Sequence, residues 1–245
     1  MEFLEVWPSC LPVYKPAVPK IVHPPSVGPE LMGTLCSHDS HPERGLSCDL
    51  TYEKLALEQG YRRIAGLDEV GRGALFGPVC AAAVVFDISH TIPKGINDSK
   101  KLSANQRLQL AESIRRAAED FSIAFVESSV IDRINILEAT REAMRQAING
   151  LKQKPDYILC DGIVITNLSI PQKNIIRGDT RSVSIAAASI LAKVERDGLI
   201  SRLDLDYPGY DLGNNKGYAT SKHLQALNSL GPTPYHRVTF RGVRG

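Results

Sequence analysis

Four carboxylates in this chain stand beside glycine or arginine in ways that suit phosphate chemistry. Asp68 and Glu69 are adjacent in GLDEVGRGALFG (residues 66–77), just ahead of Gly71, Arg72 and Gly73; Asp161 lies in CDG and Asp179 in RGDT. Carboxylates that converge repel one another unless cations neutralise them. An all-oxygen donor set with no partnering Cys or His favours Mg²⁺ or Mn²⁺ over zinc. Glycines at 71 and 73 carry no β-carbon, so a substrate backbone can approach main-chain amides there, and Arg72 adds a charge or a shape constraint. Side chains of adjacent strand residues point to opposite faces, so Asp68 and Glu69 are expected to share a centre only if the chain turns between them.

Each piece also has an ordinary structural explanation. An aspartate before glycine, as at Asp161, commonly makes a turn, and Asp179 ahead of a long helix complements its dipole. The glycine loop is neither a Walker A motif nor a G-x-G-x-x-G element, so the sequence gives little support to a nucleoside triphosphate or dinucleotide site. Two further segments suit an anionic backbone, although a solvated lysine pair accounts for the first equally well and an ordinary basic loop is the simpler account of the second taken alone. NDSKKLSANQR (residues 97–107) sets Lys100 and Lys101 before a helix start, and NNKGYATSKH (214–223) places Lys216, Tyr218, Thr220 and Lys222 around a glycine. There a ring can pack on a sugar or base between phosphate contacts. His223 and His236 have no paired nucleophile and read as structural.

These residues need elements to position them. YRRIAGLD reads as a strand ending in Asp68, and GPVCAAAVVF as a buried strand antiparallel to it. Ser103 with Gln106 forms a capping box for a helix carrying Leu110, Ile114 and Ala117. FSIAFVES is a third strand. Asn135 and Glu138 open a helix that Gly150 stops. DYILCDG is a strand ending in Asp161, and NIIRGD is expected to be another ending in Asp179. SVSIAAASILAKVERDGLISRL is the longest helical pattern, and a final helix is expected over 221–230. A shorter helix, 51–59, precedes the first strand. The result is an α/β domain with a mixed sheet, in which aspartates from separate strand ends can meet.

Composition bounds the rest. The 245 residues carry a formal charge of +2 with 23% charged residues, so no strong basic excess announces a general nucleic-acid binder. Residues 1–50 hold eight of fifteen prolines and a net −3. They are expected to form a disordered extension to a domain spanning 51–245. Within the extension, Cys36, His38, His41 and Cys48 match no standard zinc spacing. Five cysteines without a framework, no basic leader and no apolar run of about 20 residues lead to the expectation of a soluble, cytoplasmic protein with no membrane partner.

Taken in order from about Tyr61 to Arg237, IAGLDEVGRGALFGPVCAAAVV, NDSKKLS, CDG, GDTRSVSIAAASILAKVERD, YPGYDLGNNKGYATSKH and GPTPYHR resemble the bacterial type 2 ribonuclease H family, ribonuclease HII. The resemblance implies a ribonuclease H-like fold: a mixed five-stranded sheet with flanking helices. It also implies an endonuclease that hydrolyses the RNA strand of RNA–DNA hybrids and cuts 5′ of single ribonucleotides embedded in duplex DNA. Two divalent ions, Mg²⁺ or Mn²⁺, would act on the phosphodiester and leave 3′-OH and 5′-phosphate ends. The family's acids map onto Asp68, Glu69, Asp161 and Asp179, its ribose-reading loop onto Gly71, Arg72 and Gly73, and its sugar-side tyrosine onto Tyr218. Lys100 and Lys222 are the expected phosphate contacts, and a monomer is expected. Ala74 and Phe76 depart from the family pattern just past the reading loop. The rival readings are a structure-selective DNA nuclease on a similar sheet, and a nucleic-acid binder without catalysis.

Overall fold

A computed structural model describes residues 48–97 and 99–243. The proline-rich extension lies outside the described residues apart from 48–50, which already belong to the domain's edge. Asp49 pairs with Ser182 in a parallel bridge, and its carboxylate accepts the Thr51 amide at 2.9 Å. Helix α1 (Thr51–Glu58) follows, and Gly60 reverses the chain with φ +97°. Buried Glu53 ties α1 to the domain, accepting from the Ser182 hydroxyl at 2.6 Å and the Ser184 amide at 3.0 Å.

Strand β1 (Ile64–Val70) runs antiparallel to β2 (Val79–Val85), whose apolar residues are all buried as their continuous run predicts. A 3₁₀ turn (Ser99–Lys101) leads into helix α2 (Ala104–Ala117), which opens with the expected Ser103–Gln106 capping box. Strand β3 (Asp120–Val126) pairs antiparallel with β2. Helix α3 (Ser128–Ile134) carries no sequence signal at its start, because Glu127 occupies the N-cap without a capping side-chain bond. Asn135, at φ +67°, caps helix α4 (Ile136–Asn149) by accepting from the amides of Leu137 and Glu138, and Gly150 closes it.

Strands β4 (Tyr157–Asp161) and β5 (Gln172–Ile175) are parallel to β1, completing the sheet order β3-β2-β1-β4-β5. The expectation that the fifth strand reaches Asp179 is not met. Arg177 adopts the left-handed conformation (φ +55°), which ends extended pairing, and Asp179 sits on a 3₁₀ turn (Gly178–Thr180). Helix α5 (Val183–Asp206), about 36 Å long at 1.5 Å per residue, then lies across one face of β1 and β2. The short α6 (Leu212–Asn215) and α7 (Ser221–Leu230) complete the chain, the latter over the expected residues.

Two apolar layers hold the sheet. Ala65, Leu67, Ala81, Ala83, Ile158 and Cys160 face α4, while Cys80, Ala82 and Val84 face the alanine-rich stretch of α5. The short side chains at Ala186, Ala187 and Ala188 let α5 approach closely, and Gly66 marks the nearest point. A β-carbon there would stand 2.2 Å from the Ser184 carbonyl carbon. No helix among the described residues is long and apolar enough to cross a membrane.

Candidate metal centre and nucleic-acid interface

Neighbouring parallel strands place side chains of matched register on one face about 4.8 Å apart. In this sheet Leu67 of β1 pairs with Cys160 of β4, so the next residues, Asp68 and Asp161, stand side by side. Both fall on the α5 face: Asp68 follows the alternation set by Gly66, and Asp161 that set by Leu159, which packs on Ile185. Gly178 bends the chain back beneath them. Its amide donates to Asp161 Oδ1 at 2.7 Å, and a β-carbon at 178 would strike Ile185 Cδ1 at 2.6 Å. Asp179 is thereby carried to the same place, and one carboxylate oxygen from each of Asp68, Asp161 and Asp179 lies within 4.8 Å of the others.

Glu69 reaches the site differently from the sequence expectation. The chain does not turn between Asp68 and Glu69; β1 continues to Val70, with Asp68 opposite Ala82 and Glu69 opposite Ala81. Glu69 therefore stands on the other side of the strand and is outside the group of three. Its Oε1 meets Arg72 Nη1 at 3.4 Å, while its Oε2 is buried without a hydrogen-bond partner among the described residues.

The electrostatics are those of acids crowded together in a buried place. Burial, with the carboxylates of Glu69 and Asp161 nearby, holds the Asp68 carboxyl well above the usual range. Burial also raises Glu69, against the opposing pull of Arg72. Three mutually repelling acids plus an orphaned buried carboxylate oxygen fit hard divalent cations, whose charge would reverse these terms. The exposed ammonium of Lys100 meets Asp179 Oδ2 at 3.1 Å, a partial substitute for that charge.

Helix α5 links this cluster to the second half of the site. Ser189, Lys193 and Arg196 recur at i, i+4 and i+7, on one helix face spanning roughly 10 Å. The Ser189 hydroxyl hydrogen-bonds Asp68 and meets Ser99 Oγ at 3.0 Å, which anchors the turn bearing Lys100. Lys193 Nζ and the Arg196 guanidinium stand 5.9 Å and 5.7 Å from the Tyr218 ring centroid. Sequence reasoning passed over these three residues; the available signal was a polar i, i+4, i+7 set where the alanine-rich stretch of the helix gives way to charged residues.

Two buried arginines brace the loops. Arg196 donates to the carbonyls of Pro78 (2.9 Å), Phe76 (3.0 Å) and Lys216 (2.9 Å), and Arg237 to those of Gly77 (3.0 Å) and Arg72 (2.9 Å). The glycine loop is thus stitched to the Tyr218 loop, and the amides of Leu75 and Phe76 both reach the Gly217 carbonyl. Gly71 is required by this packing: at φ +95°, a β-carbon would lie 2.1 Å from Arg196 Nε. Gly73 is different, with no atom of the described residues within 4 Å of its β-carbon position, and so leaves room for a ligand. Ala74 and Phe76, which stand out against the resembled family, are wholly buried, Phe76 among Tyr207, Tyr235 and His236, so they face the core. Lys222 is exposed in the first turn of α7, lining a cleft with Asp211, Asn214 and Thr220. Lys100 touches the carboxylate group, whereas Lys222 is placed in that cleft.

Comparison with known proteins gives one consistent result. A family model described as Ribonuclease HII matches residues 65–243. A ribonuclease HII from Syntrophotalea carbinolica is 51% identical over 195 residues, covering 80% of this chain and 93% of its own. That of Geobacter sulfurreducens is 47% identical over 211 residues, covering 86% and 94%. Among solved structures, the ribonuclease H2 of Pyrococcus horikoshii superposes with a TM-score of 0.64 at 26% identity, covering 75% of this chain and 96% of that one. A ribonuclease HII solved in complex with PCNA from Archaeoglobus fulgidus gives 0.62 at 27% identity, with 74% and 96% coverage.

Proposed function

The chain belongs to the ribonuclease HII family, and from that membership we propose that its 51–245 domain, acting as a monomer, cuts on the 5′ side of single ribonucleotides embedded in duplex DNA as well as within hybrids. The family places it among divalent-metal-dependent endoribonucleases acting on RNA–DNA hybrids. The finer reading rests on one observation: three acidic side chains converge on the face of the helix that also carries Lys193 and Arg196 to Tyr218.

In this reading Asp68 and Asp161 are the central ligands and Asp179 completes their group, while Glu69, across the strand, would join through its buried Oε2 once a cation draws it in. Two bound Mg²⁺ or Mn²⁺ ions would supply Lewis acidity on both sides of the phosphorus, leaving 3′-OH and 5′-phosphate ends. The chain's own groups choose the bond. Main-chain groups of Gly71, Arg72 and Gly73 address the ribose 2′-OH, the one group that distinguishes RNA from DNA at a given position. The Tyr218 ring packs on the sugar at the junction, and Lys100, exposed enough to leave Asp179, takes a backbone phosphate. Lys222, in the first turn of α7, is assigned to the flanking duplex.

Labelled duplex DNA carrying one ribonucleotide tests this directly. With Mg²⁺ the cut is expected on the 5′ side of the ribonucleotide, with none in EDTA; cleavage of hybrid alone would overturn the finer reading. Cutting of all-DNA duplex at a comparable rate would favour the structure-selective nuclease instead. Tyr218→Ala is expected to lower cleavage at the single ribonucleotide by about tenfold or more, the scale of one lost stacking contact. An unchanged rate removes Tyr218 from the site.

A further inference from the structure

His223 and His236 are both buried, and their Nε2 atoms face each other at 3.0 Å. Two imidazoles in that arrangement share one proton, so one ring donates and the other accepts. Their outer nitrogens decide which. The Thr233 amide donates to His236 Nδ1 at 2.9 Å, and a backbone amide has no other role available, so this nitrogen carries no proton. His236 therefore bears its proton on Nε2 and donates to His223 Nε2. His223 must then be protonated on Nδ1, which donates to the Tyr218 carbonyl at 2.9 Å. The same carbonyl receives the Thr220 amide at 2.8 Å.

An aromatic wall keeps the pair dry. Phe76 meets His236 edge-on at 4.9 Å, and Tyr210 lies 5.0 Å from His236 and 6.2 Å from His223. Burial and the facing ring hold His236 down to about 4, and burial lowers His223, so the single-proton state persists at neutral pH. The chain of donors thus runs one way, from the Thr233 main chain through two rings to the main chain of Tyr218, whose own ring projects over Lys193 and Arg196.

We propose that His236 and His223 are positioning residues for sugar recognition: a proton chain of fixed tautomers that holds the Tyr218 main chain, and through it the ring, at the place where the ribose is read. This rests on the reading of Tyr218 as the sugar-packing residue. Neither histidine touches substrate in this scheme, and neither moves a proton during the reaction.

The test compares His223→Leu, which removes the donor, with His223→Asn, whose amide nitrogen overlays Nδ1 and can still reach the Tyr218 carbonyl. Rates on single-ribonucleotide duplex and on continuous hybrid are measured for each, alone and in a Tyr218→Ala background. His223→Leu is expected to lose about tenfold in kcat/KM on the single ribonucleotide, equivalent to about 1.4 kcal/mol, with a smaller loss on hybrid. His223→Asn is expected to recover most of that loss, and His223→Leu to add little once Tyr218 is alanine. Equal losses on both substrates, no recovery with asparagine, or full additivity with Tyr218→Ala would overturn the chain while leaving the sugar reading intact. A Tyr218→Ala protein that cuts normally sinks the sugar reading itself. If the leucine variant fails to fold, ¹⁵N-histidine spectra of the unaltered protein decide: His236 must be the Nε2–H tautomer and His223 the Nδ1–H tautomer, and any other assignment ends the proposal.

Discussion

Asp68→Asn should reduce hybrid cleavage by roughly 10³-fold or more, the scale expected when an electrostatic anchor of the transition state is removed, and yet raise the melting temperature of the metal-free protein. The two effects have one cause. Asp68 is buried beside Glu69 and Asp161, both of which push against its charge. An amide of the same shape keeps the packing, still accepts from Ser189, and removes the repulsion. Sites built to hold cations are strained without them, and replacing one of their charges commonly exchanges activity for stability. Calorimetry in EDTA and in Mg²⁺ checks the prediction. Mg²⁺ should raise the melting point of the unaltered protein, because ligand binding to the folded state adds stability, and should raise that of Asp68→Asn much less. Asp179→Asn is expected to retain part of the activity, since an amide oxygen can still ligate a hard cation. Normal turnover by Asp68→Asn, or an equal Mg²⁺ response in both proteins, would show that the carboxylate cluster is not the metal centre.

Gly66→Ala should cost about 3 kcal/mol or more of folding stability, at or above the upper end of the usual range for overpacking because the obstacle is backbone. The added β-carbon would lie 2.2 Å from the Ser184 carbonyl carbon and 2.4 Å from the Ile185 nitrogen. Neither can rotate away, so the N-terminal part of α5 must lift from β1. That helix carries Ser189 to Asp68 and both Lys193 and Arg196 to Tyr218, so whatever protein folds should also be a poor nuclease. Gly73→Ala is the contrast. Nothing lies within 4 Å of its β-carbon position, so stability should stay within about 0.5 kcal/mol while cleavage at embedded ribonucleotides falls. Urea titrations read the first effect as a shift in midpoint, and rates on the two substrates read the second. A Gly66→Ala protein as stable as the parent would mean that α5 does not approach the sheet as described.

The two glycines show where a sequence stops being informative. Gly71 and Gly73 flank one arginine and look interchangeable along the chain, yet Gly71 is required by the buried guanidinium of Arg196, 125 residues further on, while the β-carbon position of Gly73 meets no described atom within 4 Å. In the sequence Arg196 is one of several charges on a long helix. Folding buries it, where it spends its donors on the carbonyls of Phe76, Pro78 and Lys216 instead of meeting solvent. Likewise His223 and His236, thirteen positions apart, could be identified as structural, but nothing in the chain announces that their Nε2 atoms meet at 3.0 Å.

Apart from the family resemblance, which implied the mixed five-stranded sheet and the meeting of the acids, what the sequence alone determined was local. Apolar runs, capping residues and glycine stops located β1 to β4, α2, α4, α5 and α7, because hydrogen bonds and side-chain periodicity within a few residues decide such elements. The oxygen-only character of the site was also legible, since carboxylate chemistry travels with the residue. Tertiary structure decided the rest: the shared register that sets Asp68 beside Asp161, the left-handed Arg177 that ends β5 and turns Asp179 inward, and the placement of Glu69 across the strand from its neighbour. Those outcomes depend on contacts between segments far apart in the chain, whose energies no single segment contains.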